Sequence, residues 1–250
     1  MADPRTLFVT GASSGIGAAV VRQAARPGLT VLVHFSGNLS GAEAVAAEAR
    51  DRGATAHLLQ TDLAYPDRVA PMIAEAAAMT DPALPLDFVN NAGVVDSKGT
   101  ITDMTPERLT RMFNVNVISA ILAARGAVGL MRRRGAGGGI VNISSVAARI
   151  GSGNQYLDYA ASKGAIDTFT LGLADELVAE GIRVNGVRPG IIDTGIHGKG
   201  GEPDRAARFA PNLPMGRAGT ADEVAQAVLW LLSDAASYTT RTILDVAGGR

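Results

Sequence analysis

The N-terminal segment of the chain combines a short apolar strand, a glycine-rich turn and the start of a helix. Residues 7–10 (Leu-Phe-Val-Thr) are predicted to form the strand, and Gly11-Ala12-Ser13-Ser14-Gly15-Ile16-Gly17 follows at once. An apolar helical pattern begins at Ala18. A strand, a tight turn and a helix in this order point free backbone N–H groups and the helix dipole at a phosphate. The spacing is GxxxGxG and not the commoner GxGxxG, and a glycine-rich turn without a nucleotide is the alternative.

The remainder of the chain alternates between strand and helix patterns. Strands are predicted at 7–10, 30–35, 54–60, 86–90, 139–144, 183–188 and 242–246. Helices are predicted at 15–26, 41–52, 66–79, 106–134, 159–180 and 221–233. This alternation is typical of a parallel sheet that is covered on both faces. The sequence therefore predicts an α/β fold, a single Rossmann-type domain over residues 1–250 with a seven-stranded parallel sheet and helices on both faces.

Composition narrows the class of protein. The 250 residues carry a net charge of −1, which gives no reason to expect nucleic acid or an anionic membrane as a partner. No cysteine is present, and the three histidines, His34, His57 and His197, lack metal-ligand spacing, so no metal site is expected and each histidine is interpreted as a surface or loop residue. We find no apolar run of membrane-spanning length and no signal-peptide pattern, and expect a cytoplasmic protein.

Tyr159 and Lys163 stand four residues apart on a predicted helix, so their side chains lie on one face. A tyrosine has an unperturbed pKa of about 10, and a neighbouring ammonium favours its phenolate form. The serine pair Ser144-Ser145 lies just upstream and supplies a hydroxyl that can hold a carbonyl or alcohol oxygen. These groups are suited to moving a proton on and off a C–O group, although the YxxxK spacing by itself is more often found on a solvated helix face.

Five motifs follow one another in a fixed order: Thr10-Gly11-x-x-x-Gly15-x-Gly17, Asn90-Asn91-Ala92-Gly93, Ser145, Tyr159 with Lys163, and Pro189-Gly190. In this order the chain resembles the short-chain dehydrogenase/reductase superfamily over nearly its whole length. It looks most like the group that holds 3-oxoacyl-carrier-protein reductases and glucose 1-dehydrogenases. The resemblance implies an oxidoreductase that interconverts a ketone or aldehyde with an alcohol, and it leaves the small-molecule substrate open.

The resemblance also implies the catalytic residues. Tyr159 is expected to be the general acid and base, and Lys163 to lower its pKa and bind the nicotinamide ribose. Ser145 is expected to polarise the substrate oxygen, with Ser144 as the alternative because the offset to the tyrosine is one residue longer than in the commonest members. Asn116 matches an asparagine that supports a proton-relay water at a helix irregularity, and an ordinary polar position in a helix is the alternative.

The cofactor site that the resemblance implies is larger. It comprises Gly11, Ser13, Ser14, Gly15, Ile16, Gly17, Phe35, Ser36, Asp62, Leu63, Asn90, Ala92, Gly93, Tyr159, Lys163, Pro189, Gly190, Ile192 and Thr194. Asp62 can instead be an N-cap residue, and Asn90-Asn91 can close a turn after the fourth strand.

The end of the second predicted strand decides between the two nicotinamide cofactors. NAD enzymes typically place a carboxylate there, and this chain has Phe35 at that point. Ser36, Asn38 and the backbone of Gly37 are candidates to hydrogen-bond a 2′-phosphate, and His34 to add charge at lower pH. Ser14, however, stands where many NADP(H) enzymes carry a basic residue. NADP(H) is therefore favoured, and NAD(H) stays possible.

Two further expectations concern the C-terminal half and assembly. The glycine- and proline-rich segment 192–215 is predicted to be a long substrate loop, with a disordered surface excursion as the alternative. The predicted helices 106–134 and 159–180 carry more apolar residues than one sheet-facing stripe requires. The resemblance implies a homotetramer, with a dimer as the alternative. An NAD(H)-dependent sugar or alcohol dehydrogenase and a nucleotide-binding regulator with little turnover remain the other functions.

Overall fold

The structure of the chain is a computed structural model that describes residues 3–135, 137–195, 198 and 200–250. The described residues form the strands β1 (Arg5–Val9), β2 (Leu29–Phe35), β3 (Thr55–Gln60), β4 (Leu86–Asn90), β5 (Gly138–Ile143), β6 (Ile182–Pro189), β7 (Ile192–Asp193), β8 (Gly219–Thr220) and β9 (Ile243–Val246). Seven of them form one sheet in the order β3-β2-β1-β4-β5-β6-β9, and every neighbouring pair is parallel. The predicted seven-stranded parallel sheet is confirmed.

Helices cover both faces of this sheet. The α-helices are α1 (Gly15–Ala24), α2 (Leu39–Asp51), α3 (Val69–Ala78), α4 (Pro106–Phe113), α5 (Ala120–Arg134), α6 (Ala147–Ile150), α7 (Leu157–Leu177), α8 (Arg205–Phe209) and α9 (Ala221–Leu232). One core cluster joins α1, α2 and α9 to one face of the sheet, and a second joins α3, α5 and α7 to the other. Because the strands are buried on both faces, their sequences are nearly continuous apolar runs.

The predicted boundaries differ from the structure by one or two residues at most strand ends. Two larger differences have physical causes. The predicted helix 106–134 is interrupted by a π-helix over Asn114–Ser119, which lies between α4 and α5. The segment 192–215, predicted to be a loop, contains β7, α8 and a 3-10 helix over Ala210–Asn212, because Ala206 and Leu213 pack on Ile191 in a small apolar cluster. Within that segment His197 and Lys199 lie outside the described residues.

The helical run from Pro106 to Arg134 contradicts the expectation that no apolar run reaches membrane-spanning length. Its 29 residues and a mean hydropathy of 1.5 are long and apolar enough to cross a bilayer. However, 56% of its most apolar stretch is buried inside the protein, where Ala123, Ala127 and Met131 belong to the core beneath the sheet. Its hydropathy therefore reflects a core helix of this fold.

Candidate active site

The carboxyl edge of the sheet holds two cavities that share part of their walls. A long cavity of about 740 Å³ runs past the glycine turn and the ends of β2 and β3. A second cavity of about 150 Å³ is lined by Ser144, Ser145, Tyr159 and Lys163. Ile16, Asn91, Gly93 and Thr194 line both cavities. The nucleotide-type and proton-transfer-type motifs therefore meet at one place.

The glycine turn provides free backbone donors at the start of α1. Gly11 and Gly15 have φ values of +66° and +56°, which disfavour any side chain. A Cβ at Gly17 would lie 2.6 Å from the Asn91 side chain and from the Gly11 carbonyl, so this glycine allows close packing within the turn. Ser14 is the N-cap and makes no side-chain cap hydrogen bond. The turn and the helix dipole thus fit the pyrophosphate of a dinucleotide.

His34 corrects two sequence-based expectations. It is buried in β2, where its Nδ1 accepts a hydrogen bond of 3.0 Å from the Gly11 N–H and its Nε2 lies 3.1 Å from the Thr61 carbonyl. Burial lowers the pKa of His34 to about 4, against a weaker raising effect of the Thr61 hydrogen bond. The ring is therefore neutral at physiological pH and holds the glycine turn in place. It is neither a surface histidine nor a source of charge for a phosphate.

Asn90 and Asn91 have different surroundings. Asn90 is buried, and its Nδ2 donates to the Ala120 carbonyl and to Asn142 Oδ1, so its side chain serves the packing of the sheet on α5. Asn91 faces the site, and its Nδ2 donates to the carbonyls of Thr10 and Gly11. The Asn90 side chain therefore has its amide group engaged within the protein, and the place of Asn90 in the cofactor site stays a prediction. Asn91, which was not among the predicted site residues, lines both cavities.

The other predicted cofactor residues lie along the long cavity. Its walls include Gly11, Ser13, Ser14, Gly15, Ile16, Phe35, Ser36, Asp62, Leu63, Ala92, Gly93 and Thr194. Pro189, Gly190 and Ile192 line the smaller cavity. Asp62 also accepts a hydrogen bond from the Ala64 N–H, and Ser119 holds the Leu63 carbonyl at 2.7 Å. The structure therefore brings together all the predicted cofactor residues except Asn90 and Gly17, which support the walls from behind.

The end of β2 carries no carboxylate. Ser36, Gly37 and Asn38 line the cavity there. The Asn38 side chain accepts from the Gly41 N–H and donates one of its two amide hydrogens to the Ser13 carbonyl. The second amide hydrogen of Asn38, the Ser36 hydroxyl and the backbone N–H groups at the start of α2 are candidate donors for a 2′-phosphate. Asn38 therefore stays in the set that the sequence suggested.

Tyr159 and Ser145 are hydrogen-bonded neighbours. Burial raises the pKa of Tyr159, and the hydrogen bond with Ser145 lowers it. Ser145 Oγ also accepts the Ala147 N–H at 3.1 Å, which fixes the hydroxyl at the end of β5. Ser144 is buried and donates to the Lys163 carbonyl at 3.3 Å. Of the two serines, Ser145 is the one that contacts the tyrosine.

Lys163 is a buried ammonium on α7. Its Nζ donates to the Ile143 carbonyl at 2.7 Å and lies 5.7 Å from the centroid of the Tyr159 ring. Burial lowers the pKa of Lys163 to about 8, while the charge of Asp167 raises it. For Tyr159 the largest effect on the pKa is desolvation, which raises it, and the Ser145 hydrogen bond lowers it. The lowering of the tyrosine pKa by Lys163 stays a prediction.

Asn116 lies in the π-helix between α4 and α5. Its Oδ1 accepts from the Val94 N–H at 2.8 Å, and its Nδ2 donates to the Val94 carbonyl and to Ser162 Oγ. A Cβ placed on Gly93 would lie 3.5 Å from both Asn116 Oδ1 and Lys163 Nζ, so the two polar groups flank the same glycine. The π-helix therefore places the Asn116 side chain on the same side as the Lys163 ammonium.

The smaller cavity has walls that the sequence patterns did not identify. Tyr156, Arg205 and Arg250 line it, together with the apolar side chains of Val95, Val146, Ile150 and Ile191. These residues come from the short helices α6 and α8, from loops and from the chain segment after β9. No periodic pattern links them, so only the folded chain shows that they converge.

Comparisons with known proteins agree with this geometry. A family model described as enoyl-(acyl carrier protein) reductase matches residues 11–250. The uncharacterised oxidoreductase YgfF of Escherichia coli (strain K12) is 47% identical over 245 residues, covering 97% of this chain and 98% of that protein. The crystal structure of a short-chain type dehydrogenase/reductase from Mycobacterium marinum is 32% identical with a TM-score of 0.89, covering 99% of this chain and 95% of that one. The crystal structure of the angucycline C-6 ketoreductase LanV with bound NADP is 30% identical with a TM-score of 0.88, covering 98% and 95%.

The depressed pKa of His34 predicts a specific loss of stability in acid. An unfolded histidine titrates near 6.5 and the buried one near 4, so the unfolded state binds the proton first. The stability that the neutral ring provides is present above pH 6.5 and is lost as the pH falls toward 4, by about 3 kcal/mol. His34→Asn keeps an acceptor for the Gly11 N–H and removes the titration, so its free energy of unfolding should fall less than that of wild type between pH 7 and pH 4.

Urea unfolding at a series of pH values measures this difference. His57→Asn, the same change on the neighbouring strand β3, is the control and should retain the wild-type acid dependence. An equal loss in wild type and His34→Asn would contradict the assignment.

Proposed function

Since the chain belongs to the short-chain dehydrogenase/reductase family and is an oxidoreductase, we propose that it interconverts a ketone or aldehyde with an alcohol and uses NADP(H). The observation that carries the proposal is the convergence of Ser145, Tyr159 and Lys163 on a cavity that shares walls with the glycine-turn cavity. The proposal takes a small-molecule substrate and places the enzyme in the cytoplasm. The net charge of −1 and the burial of the run 106–134 in the core support a protein without nucleic-acid or membrane partners.

The long cavity suits a dinucleotide. The N–H groups of Gly15, Ile16 and Gly17 at the start of α1 would hold its pyrophosphate. Asp62 and Leu63 would lie against its adenine. Lys163 and Asn91 lie where the two cavities join, which is where a nicotinamide ribose would reach. When bound, the nicotinamide supplies or accepts the hydride, and the side chains of the protein handle the proton.

Tyr159 is proposed as the general acid in reduction and the general base in oxidation. Its hydroxyl faces the small cavity and is hydrogen-bonded by Ser145, whose position is fixed by the Ala147 N–H. Ser145 would orient and polarise the substrate oxygen beside the phenol. Lys163 would hold the ribose and supply positive charge, and Asn116 would support the proton path on the far side of Lys163. Segment 192–215 would close over the substrate.

Replacing Tyr159 by phenylalanine tests the assignment. Tyr159→Phe keeps the packed ring and removes the proton, so kcat on a carbonyl substrate should fall by about 100- to 10,000-fold. NADPH binding, measured by fluorescence titration, should change little. Tyr238→Phe is the matched control, since Tyr238 is fully exposed, and it should keep wild-type turnover. A panel of ketones, quinones, sugars and acyl thioesters, followed by NADPH absorbance, supplies the substrate. Retention of more than about a tenth of kcat in Tyr159→Phe would exclude Tyr159 as the proton donor.

The neutral end of β2 predicts the cofactor preference. No carboxylate at positions 35–38 repels a 2′-phosphate, and Ser14 stands where many NADP(H) enzymes carry a basic residue, so kcat/KM with NADPH should exceed that with NADH by about tenfold, or about 1.4 kcal/mol. The NADP bound to the ketoreductase LanV agrees with this preference. Ser36→Asp places a charge beside the phosphate and should reverse the preference. Ser237→Asp, an exposed change elsewhere, should not alter it. Steady-state kinetics with both cofactors decide the matter, and a wild-type preference for NADH would contradict the prediction.

Exposed apolar side chains on the helix run 106–134 and on α7 support a homotetramer. Most of the apolar residues on these helices are buried within the chain, so fewer apolar side chains are left exposed than the sequence suggested. Ile118 is nevertheless 43% exposed, and Leu122 and Phe169 are only partly buried. Light scattering should give four times the 25.6 kDa chain mass. Ile118→Arg should dissociate the tetramer to dimers or monomers, whereas Ile101→Arg, in an exposed turn, should not. A monomeric wild-type protein at micromolar concentration would contradict the proposal.

A further inference from the structure

The charged side chains that line the smaller cavity, which holds Tyr159 and Lys163, are all positive. Among the described residues that line it, three carry charge, Lys163, Arg205 and Arg250, and no aspartate or glutamate lines it. Lys163 is already assigned to the proton-transfer group. The two arginines lie on the substrate side and have no part in that chemistry.

Arg205 is a fixed and compensated cation. It is buried, and its guanidinium lies 4.9 Å from the Tyr156 ring centroid and 4.7 Å from the Phe209 ring centroid. Its Nη1 donates to Glu202 at 2.8 Å and its Nη2 to Gln155 at 2.7 Å. Glu202 also accepts from Arg208 and from the Tyr156 hydroxyl. One carboxylate is therefore shared by two arginines and a phenol.

Arg250 is different. Its guanidinium is the third beside Phe209, at 5.8 Å from the ring centroid, after those of Arg205 and Arg208. The salt bridges among the described residues pair Arg205 and Arg208 with Glu202 and include none for Arg250. Burial lowers the pKa of Arg250, and the charge of Arg205 lowers it further. A half-buried cation is thus held next to a like charge, which costs free energy unless an anion joins it.

The rest of the cavity wall is apolar. Val95, Val146, Ile150 and Ile191 line it. The volume of about 150 Å³ is comparable to cavities that hold a single six-membered ring, and the nicotinamide would enter it beside Pro189 and Gly190, so little space is left for a substrate. A substrate that fits would therefore have a small hydrocarbon body. Its reacting oxygen would lie at Tyr159 and its charge at Arg250.

We propose that the substrate is a small keto acid or hydroxy acid whose carboxylate is bound by Arg250, at a wall held in shape by Arg205 and Glu202. This inference rests on the proposed function and names its substrate class. A guanidinium matches a carboxylate by two parallel hydrogen bonds, and the partial burial strengthens that pairing. The carboxylate also supplies the negative charge that the Phe209 cluster lacks.

The test compares matched anionic and neutral probes on the complex with NADP⁺. The pairs are 4-oxopentanoate with 4-oxopentanamide, and 4-oxocyclohexanecarboxylate with its carboxamide. Isothermal titration calorimetry should give a Kd about tenfold or more lower for the carboxylate in at least one pair. In kcat/KM with NADPH the same pair should differ by a similar factor.

Variants assign the effect to Arg250. Arg250→Gln should abolish the difference in Kd between carboxylate and carboxamide, chiefly by weakening the binding of the carboxylate. Arg132→Gln removes the same charge from a surface pair with Glu180 and should leave the difference intact. Arg205 is left unchanged because its loss would also release Glu202. Thermal unfolding of each variant checks that the fold is retained.

The outcomes separate this inference from the proposed function. Equal or undetectable binding of both members in every pair overturns it, as does a preference that survives Arg250→Gln. Turnover of carboxylate and carboxamide at equal kcat/KM overturns the inference and leaves the oxidoreductase assignment standing. Preferential binding of the carboxylate without turnover of any carbonyl probe supports the anion site and contradicts the proposed function.

Discussion

The common direction of the seven sheet strands is the constraint on which the site depends. Because every strand is parallel to its neighbours, all carboxyl ends lie at one edge, and four of the five predicted motifs lie where a strand ends. The glycine turn follows β1, Asn91 follows β4 and Ser145 follows β5. Lys163 joins them because α7 packs on the face of β5 and β6 with its ammonium against the Ile143 carbonyl. No long loop is needed to bring the proton donor to the nucleotide turn.

Polar groups that are buried at this edge need hydrogen-bond partners, since an unpaired polar group there costs free energy. The structure meets the requirement with side chains that hold the backbone around the cavities. The His34 ring and Asn91 hold the glycine turn, and Asn90 bridges Asn142 and the Ala120 carbonyl. Asn116, in the π-helix, holds both polar groups of Val94. The shape of the cofactor cavity therefore rests on a layer of neutral polar side chains in and behind its walls.

The same residues show which parts of the fold and of the site could be predicted from the sequence. Apolar runs predicted the strands, and glycine spacing predicted the turn, because both are local properties. Position 34 was misjudged because a histidine within the run 31–35 was weighed as an isolated titratable group, although its neighbours were all buried positions. Asn90 and Asn91 could not be separated, since adjacent side chains face opposite ways and only the end of β4 fixes which faces the cavity. Arg250 lies in no motif, and its approach to Phe209 depends on the path of the chain after β9.

The electrostatics of the catalytic group also follow from burial. Desolvation raises the pKa of Tyr159 and lowers that of Lys163 to about 8, so both side chains are pushed toward their neutral forms. The charge of Asp167 opposes the shift at Lys163, and a pKa of about 8 leaves the ammonium as the main form of Lys163 at neutral pH. On Tyr159, the Ser145 hydrogen bond is the effect that favours phenolate, and it is smaller than desolvation. A phenol that keeps its proton is the form that protonates a carbonyl oxygen. In the proposed function, a neutral Tyr159 is thus the form that would donate a proton to the carbonyl oxygen.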